Sequence, residues 1–481
     1  MTRKCAGRVH FIGVCGTAMA TLAAMFKQRG YDVQGSDHGV YPPMSDFLAR
    51  EGITVFDGYR DEQITGDIEF VVVGNAISRG NVELEAVLDR KIHYVSLPEA
   101  IREHFLWSHR SIVIAGTHGK TTTTALTAWV LTACGSDPSL LVGGIAANFG
   151  SPSGASAQEG GSYRLGSGRD FVIEGDEYDS AFFDKTAKFL KYLPDIAVVA
   201  NLEYDHADIY PDLEALRVTF RRFLNLVPRS GTVILGDSEE TLRLANWARC
   251  TVETFGLSDA ADWRADELLP TPTGTAFQVT FKGDSLGHVQ LPLYGGHNVK
   301  NALAAIAAGH ATGLEFGAMA QALAEFRGVK RRLELRGMAR GVAVYDDFAH
   351  HPTAIFETVR AIKSADPSRR VWAVFEPRSA TSCRKVFQDD FTNAFASSGA
   401  DEVVLASVFR ATLPDDQRLS VDEIIRNLKA RGIRARTFPS TDEIVSAIAS
   451  EAQSGDAVLL MSNGGFDDIH EKLLRALAGD R

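Results

Sequence analysis

Residues 114–124 read IAGTHGKTTTT. The apolar run SIVIAG reads as a buried strand, and KTTTTALTAWVLTACG after it reads as a helix. Gly116 and Gly119 let the backbone curl so that N–H groups converge, and the helix N-terminus adds partial positive charge. Lys120 brings a full charge able to reach β- and γ-phosphates, and the Thr121 hydroxyl suits Mg2+. The full G-x-x-x-x-G-K-[ST] spacing is not met, because Ile114 stands five residues before Gly119. A shorter Gly-Thr-x-Gly-Lys-Thr remains. In its strand–loop–helix setting it predicts phosphate binding by Gly116, Thr117, His118, Gly119, Lys120, Thr121 and Thr122. Thr123 and Thr124 are expected to pack or to back-bond to the preceding turn.

VIEGDEYD places Glu174, Asp176, Glu177 and Asp179 at a strand end. A carboxylate beside a phosphate loop suits Mg2+, which takes hard oxygen ligands with bridging phosphates. Glu174 is the best placed, and the other three read mostly as solvated loop carboxylates. NLEYDHADIY carries Asp205 and His206, and a lone histidine favours a structural role. GGHNVKNALAA starts a helix with His297, and Asn298 and Asn301 share a face. The two amides match an adenine edge, or else Asn298 caps the helix. KRRLELRG holds Lys330, Arg331 and Arg332, either a solvated face or a phosphate contact. DDFAHHP holds Asp346, Asp347, His350 and His351: an Asp for ribose, and histidines for phosphate or carboxylate rather than a metal pair. GVCGTAM is an incomplete dinucleotide loop, Gly13-x-x-Gly16, with Asp37 where a ribose contact is expected. A sugar–nucleotide diphosphate fits the same geometry.

Three α/β blocks position these residues. RVHFIGV, TAMATLAAMFKQRG and YDVQGSD have βαβ rhythm, which implies a parallel sheet covered by helices. The second block runs from SIVIAG through VIEGDE and AVVANLE to the Asn298 helix. It includes alternating segments from ADWRADELLP to HVQLPLYG that suggest antiparallel pairing. The third carries GVAVYDD, VWAVFEP, DEVVLASV and DAVLLMSNGG, and ligands of such sheets bind beyond the carboxyl ends of the strands. The expected divisions are 1–109, 110–328 and 329–481. Residues 150–168, rich in Gly and Ser, predict a mobile loop.

The chain has 481 residues, 45% of them hydrophobic and 23% charged, an ordinary globular composition. A net charge of −11 argues against nucleic acid or an anionic membrane as the main partner. Cys5, Cys15, Cys134, Cys250 and Cys383 form no C-x-x-C, so a reducing cytoplasm fits better than a disulfide framework or a zinc site. The first 20 residues superficially resemble a signal peptide, but Gly13, Gly16 and Thr17 interrupt the apolar run. No stretch approaches the ~18 uncharged apolar residues of a membrane span.

AGTHGKTTTT, EGDEYD, NLEYDH, GGHNVKNALAA, RRLELRG and YDDFAHHPTA occur in the order found in the Mur ligases of bacterial cell-wall synthesis. The chain resembles that family over nearly its whole length. GVCGTAMATLA, GSDHGVYPPMSDFL, EYDSAFFDK and FEPRSAT resemble one branch within it. That branch joins UDP-N-acetylmuramate to L-alanyl-γ-D-glutamyl-meso-diaminopimelate. The rival branch, which adds L-alanine, is expected to have a Q-P-H-R-like segment in place of FEPRS. The resemblance implies three domains, Rossmann-like, P-loop ATPase-like and Rossmann-like. It implies ATP and Mg2+, an acyl-phosphate intermediate, and catalytic roles for Lys120, Glu174 and His206. Thr121, Glu174 and His206 would serve the metal. Gly13, Cys15, Gly16, Thr17, Ser36, Asp37 and Asn75 would serve the UDP-sugar, and Arg378, Ser379 and Asn463 the peptide. The general base stays open between His206, His350 and solvent. Phe220 stands where several members carry a carbamylated lysine, with Lys185 and Lys188 as substitutes, and Gly175 replaces the usual alanine. A nicotinamide oxidoreductase and a nucleotide-gated binding module are the readings from other classes.

Overall fold

The computed structural model describes residues 7–150, 161–205, 209–379, 381–409 and 413–479. The chain divides into two compact units. One comprises Met1–Leu202, Leu216–Thr254 and Ala304–Leu314; the other comprises Glu203–Ala215, Phe255–Leu303 and Glu315–Arg481. No helix among the described residues is long and apolar enough to cross a membrane.

The first unit carries two parallel sheets. In one the spatial order is Thr54–Asp57, Asp32–Asp37, Arg8–Ile12, Ile68–Val73, Tyr94–Ser96. The chain turns outward in opposite directions from Arg8–Ile12, so the crevice lies between that strand and Ile68–Val73, where such sheets bind ligands. Gly13 and Asn75 follow those two strands. The helix Thr17–Gln28 packs close because it is apolar along most of its length, with every residue from Met19 to Phe26 buried.

In the other sheet the order is Thr232–Gly236, Ile196–Val199, Arg110–Ala115, Asp170–Gly175, Ser139–Leu141. Register sets Ile114 beside Glu174, so the phosphate-loop strand and the acidic strand end at the same level. Residues 161–168 depart from the expected loop. Tyr163–Arg164 pairs antiparallel with Ser139–Leu141, Arg164 donates to the Pro138 carbonyl at 2.9 Å, and the Ser167 amide donates to Asp137 at 2.7 Å. Short polar side chains here satisfy backbone groups instead of leaving them to solvent. The rest of that stretch, 151–160, lies outside the described residues.

The second unit contains the expected antiparallel strands, Trp263–Thr271, Gly274–Phe281 and Asp284–Leu291. It also holds a parallel sheet in the order Val342–Asp347, Ala457–Met461, Val371–Phe375, Glu402–Leu405, Arg434–Thr437, edged by antiparallel Glu334–Ala339. Its strands are apolar on both faces, so two cores form with period-two alternation. Ala343, Tyr345, Val371, Ala373, Phe375, Leu459 and Met461 pack in one core. Val342, Val344, Trp372, Val374, Val458 and Leu460 pack in the other. Helices cover both faces, as a fully buried parallel sheet requires.

Candidate active site

The phosphate-loop strand Arg110–Ala115 leads through residues 116–119 into the helix Lys120–Ala133. Gly116 at φ 136° and Gly119 at φ 78° make the turn. A Cβ on Gly116 would lie 3.1 Å from both the nitrogen and the carbonyl oxygen of Asn201. Asn201 pins the loop. Its side chain accepts from the His118 amide at 2.7 Å and donates to the His118 carbonyl at 3.0 Å, and its carbonyl accepts from the Thr117 amide.

Lys120 Nζ donates to the Gly116 carbonyl at 2.7 Å, to Thr117 O at 3.3 Å, and to both oxygens of Glu177 at 3.1 and 2.9 Å. Burial disfavours its ammonium, but the carboxylates of Glu177, Asp176 and Glu174 more than offset this, and its pKa is raised. The Thr121 hydroxyl donates to Glu174 Oε1 at 2.9 Å, and the Gly143 amide donates to Glu174 Oε2 at 2.7 Å. Glu174 is therefore aimed at the first turn of the helix. Thr122 is buried beside it, and Thr123 and Thr124 are fully buried. Thr123 and Thr124 thus pack in the core, one of the two outcomes expected of them, and the Thr127 hydroxyl one turn later back-bonds to Thr123 O at 2.8 Å.

The downstream carboxylates are not the solvated groups that loop composition predicts. Glu177 is buried against Lys120, Asp176 lies 3.3 Å from Lys188, and Asp179 binds Lys185 at 2.6 Å. Asp176 and Asp179 find Lys188 and Lys185 because the chain doubles back in the hairpin Asp179–Ala181 with Asp184–Ala187, whereas Glu177 meets Lys120 because the strands Arg110–Ala115 and Asp170–Gly175 run side by side. That hairpin also brings Asp179 within 3.1 Å of the Asn75 side-chain amide, which follows strand Ile68–Val73. The two candidate ligand loops of this unit are thus joined by a hydrogen bond.

In the dinucleotide-like loop, the Ser36 carbonyl accepts from the Gly13 and Val14 amides at 2.8 and 3.0 Å. The Asp37 carboxylate accepts from the Cys15 amide at 2.7 Å, the His38 amide at 2.7 Å and the Tyr59 hydroxyl at 3.2 Å. Gly16 precedes the helix that Thr17 opens, and its amide points back to the Gly13 carbonyl at 3.5 Å. Burial, with Asp37 and Asp57 nearby, pushes the Cys15 thiol up to about 11. The Ser36 hydroxyl is fully buried and donates to Glu83, which also meets His10 Nε2 at 3.2 Å. Ser36 therefore acts on the loop through its backbone.

In the second unit, Asn298 and Asn301 lie in the first turns of helix Gly296–Thr312 and bond each other at 3.1 Å. Asn298 lies inside the helix that starts at Gly296 rather than at its cap position, and its Nδ2 donates back to the Tyr294 carbonyl at 2.9 Å. His297 Nδ1 lies 3.7 Å from Glu357. The carboxyl ends of three adjacent strands bring together 346–351, 376–379 and 462–464. Arg331 clasps them, donating to the Ser462 and Gly464 carbonyls at 2.7 and 2.6 Å and lying 3.4 Å from Asp346. Asp346 is buried and also meets His470 Nε2 at 3.1 Å. Burial alone would raise its pKa, but His470 and Arg331 hold it below the ordinary carboxylate range.

Arg332 and His350 both pack on Phe348. His351 serves as the N-cap of helix Pro352–Ala365 and points Nε2 at the Tyr204 carbonyl, 3.3 Å away. Nearby, Glu203 accepts from the Thr353 hydroxyl and Asp205 from the Thr381 hydroxyl, each at 2.6 Å. His206 lies outside the described residues.

Arg378 stacks on Phe409 and approaches Glu376 to 3.7 Å. The Ser379 hydroxyl donates to Ser382 at 2.9 Å. Asn463 Oδ1 is buried with no hydrogen-bond partner among the described residues. Asn201, Glu376 and His470 were not singled out from sequence, and Glu177 was read only as a solvated carboxylate. Only Asn201 carried a usable signal, a polar residue directly after an apolar strand that neighbours the phosphate loop.

Three family models match the chain. They are the Mur ligase family catalytic domain over 8–106, the Mur ligase middle domain over 114–309, and the Mur ligase glutamate ligase domain over 331–464. An Escherichia coli (strain K12) protein, UDP-N-acetylmuramate--L-alanyl-gamma-D-glutamyl-meso-2,6-diaminoheptandioate ligase, is 39% identical over 472 residues, 98% of each chain. A UDP-N-acetylmuramate--L-alanine ligase of Clostridium acetobutylicum is 32% identical over 469 residues, 97% of each chain. The crystal structure of a murein peptide ligase from Psychrobacter arcticus 273-4 matches with a TM-score of 0.70 at 35% identity, covering 98% of this chain and 99% of that one.

Proposed function

This chain belongs to the Mur ligase family, and on that premise we propose that it is the ATP-dependent ligase joining the carboxylate of UDP-N-acetylmuramate to the amine of L-alanyl-γ-D-glutamyl-meso-diaminopimelate. The observation that carries the chemistry is the phosphate loop, where a buried lysine and a threonine hydroxyl aligned on Glu174 surround one helix N-terminus. The choice of acceptor is supported by the 39% identity to the tripeptide ligase against 32% to the alanine ligase. The segment FEPRS supports it as well.

In this proposal 1–109 serves the UDP-sugar, 110–328 serves ATP and 329–481 serves the peptide. The muramate carboxylate attacks the γ-phosphorus of ATP, the bond to the β–γ bridging oxygen breaks, and ADP leaves as the acyl phosphate forms. The L-alanyl amine then attacks that carbonyl, phosphate leaves and the amide forms. No protein nucleophile is needed, so the chain's work is positioning and charge neutralisation. Lys120 and the loop amides, held by Asn201, would face the phosphates. The Asn75–Asp179 bond would keep the sugar loop beside the acidic strand end.

The Thr121 hydroxyl and the Glu174 carboxylate form a hard-oxygen pair that fits Mg2+, with His206 a further candidate. When bound, the ion would neutralise phosphate charge. Asn298 and Asn301, with His297, are proposed for adenine, and Arg332 and His350 for phosphate. Asp346 is proposed for ribose, held in place by Arg331. Arg378, Ser379 and Asn463 are proposed for the peptide. Cysteine usage and dependence on ATP support a cytoplasmic reaction.

Phosphate release measured with UDP-N-acetylmuramate, ATP and either the tripeptide or L-alanine tests the assignment. Turnover with the tripeptide is expected, and preference for L-alanine would replace this reading with the alanine ligase.

A further inference from the structure

Lys120 must reach phosphate in the proposed ATP site, yet its three N–H donors are already engaged. Two meet loop carbonyls, of Gly116 at 2.7 Å and Thr117 at 3.3 Å, and the third direction is closed by both oxygens of Glu177. The lysine side chain is 12% exposed and that of Glu177 2%. An ammonium so placed donates to a phosphate oxygen only by releasing a partner. The carbonyls belong to a turn that is wedged against the Asn201 backbone at Gly116 and bonded to Asn201 at His118, so the backbone is not free to withdraw.

Glu177 is different. It reaches Lys120 through a side chain, it is an anion with two oxygens, as a phosphate would present, and it sits three residues past Glu174. Keeping it against Lys120 would place one more negative charge beside a triphosphate, in a pocket where charges are poorly screened.

We propose that Glu177 is a positioning residue that holds Lys120 in the nucleotide-free enzyme and yields it to the incoming phosphate, so that ATP binds by exchange of counter-ions. The exchange rests on the assignment of the 116–122 loop to ATP. Apparent nucleotide affinity is then set by the fraction of molecules in which Lys120 is released. The pair keeps a buried lysine compensated until substrate arrives, and it weakens binding in doing so.

Calorimetric titration of the full chain with a non-hydrolysable ATP analogue tests this, in the wild type, Glu177→Gln and Lys120→Met. Glu177→Gln is expected to bind the analogue about tenfold more tightly than the wild type, since its released fraction is higher. A merely structural role would not produce a gain. Lys120→Met is expected to lose binding in either background. A folded Glu177→Gln that binds equally or more weakly overturns the exchange while leaving the ATP assignment standing. A wild type that binds no analogue overturns both. Should Glu177→Gln fail to fold, a crystal structure of the wild type with the analogue decides. Separation of Lys120 Nζ and Glu177 beyond about 4 Å is expected, and a retained ion pair overturns the proposal.

Discussion

At Lys120 two opposing effects meet: burial disfavours the ammonium, and three carboxylates keep it charged. The charge is what a transferring phosphoryl group requires, so Lys120→Ala is expected to lower phosphate release about 10²- to 10³-fold or more. Equilibrium binding of UDP-N-acetylmuramate should survive, because that loop lies on another sheet; near-normal turnover would refute the ATP assignment. Glu174→Gln keeps the shape but removes charge from the Thr121 pair, and activity should then need a higher Mg2+ concentration. An unchanged metal titration would remove Glu174 from the metal site.

Cys15 offers a pH prediction. Its thiol is pushed up to about 11 by burial and by Asp37 and Asp57, against roughly 8.5 in an unfolded chain. The neutral thiol therefore favours the folded state fully below the unfolded value, and that contribution fades as pH rises from there through 11. Site-resolved iodoacetamide labelling should stay slow at pH 8 and accelerate only near pH 10–11. Fast labelling at pH 8 would mean a more open loop than the one described.

At the scale of elements, the phosphate loop is held by the strand next to it. Gly116 combines φ 136° with Asn201 backbone atoms 3.1 Å from any added Cβ. Gly116→Ala should therefore destabilise by about 1–3 kcal/mol, the range for a residue forced into such backbone, and raise the KM for ATP. Denaturant melts and steady-state kinetics would check both, and a neutral effect on each would show that the turn relaxes freely. Asn201 was invisible as a partner of the loop because 83 residues separate it from His118; only parallel pairing of Ile196–Val199 with Arg110–Ala115 brings them together. The helix after the loop was legible, because a glycine-bearing turn follows an apolar strand and opens a long run free of Gly and Pro. The carboxylates after Glu174 were misjudged as solvated, since Lys185 and Lys188 are supplied by chain reversal and Lys120 by the neighbouring parallel strand, which composition does not encode.

At the scale of the whole molecule, the ordered motifs matter more than any one of them. A phosphate loop alone says that phosphate binds. The acidic, histidine and asparagine segments that follow stand in the order of the Mur ligases, and that membership narrows this to ATP-driven amide ligation. The three blocks each carry a parallel sheet, while compactness groups the chain into two units, the first holding both the sugar and phosphate loops. Comparing L-alanine with the tripeptide as acceptor, by phosphate release, belongs at this scale because acceptor choice is proposed for the third block and activation for the second. A variant lacking Arg378's guanidinium, Arg378→Ala, should raise the KM for the tripeptide while leaving ATP binding in place. Equal KM values would remove Arg378 from the peptide site.

The sequence by itself determined the α/β class, the phosphate loop, the apolar strands with polar carboxyl ends and the family resemblance. These are local patterns, set by period, by glycine's backbone freedom and by neighbouring side chains. Only the tertiary structure decided which groups face each other: Glu177 on Lys120, Asn201 under His118, Asp179 on Asn75, and Arg331 and His470 on Asp346. These pairs span up to 124 residues between Asp346 and His470, and a buried charge or amide takes whichever partner packing brings within reach. Residue type says that such a group needs a partner; the fold says which one it has.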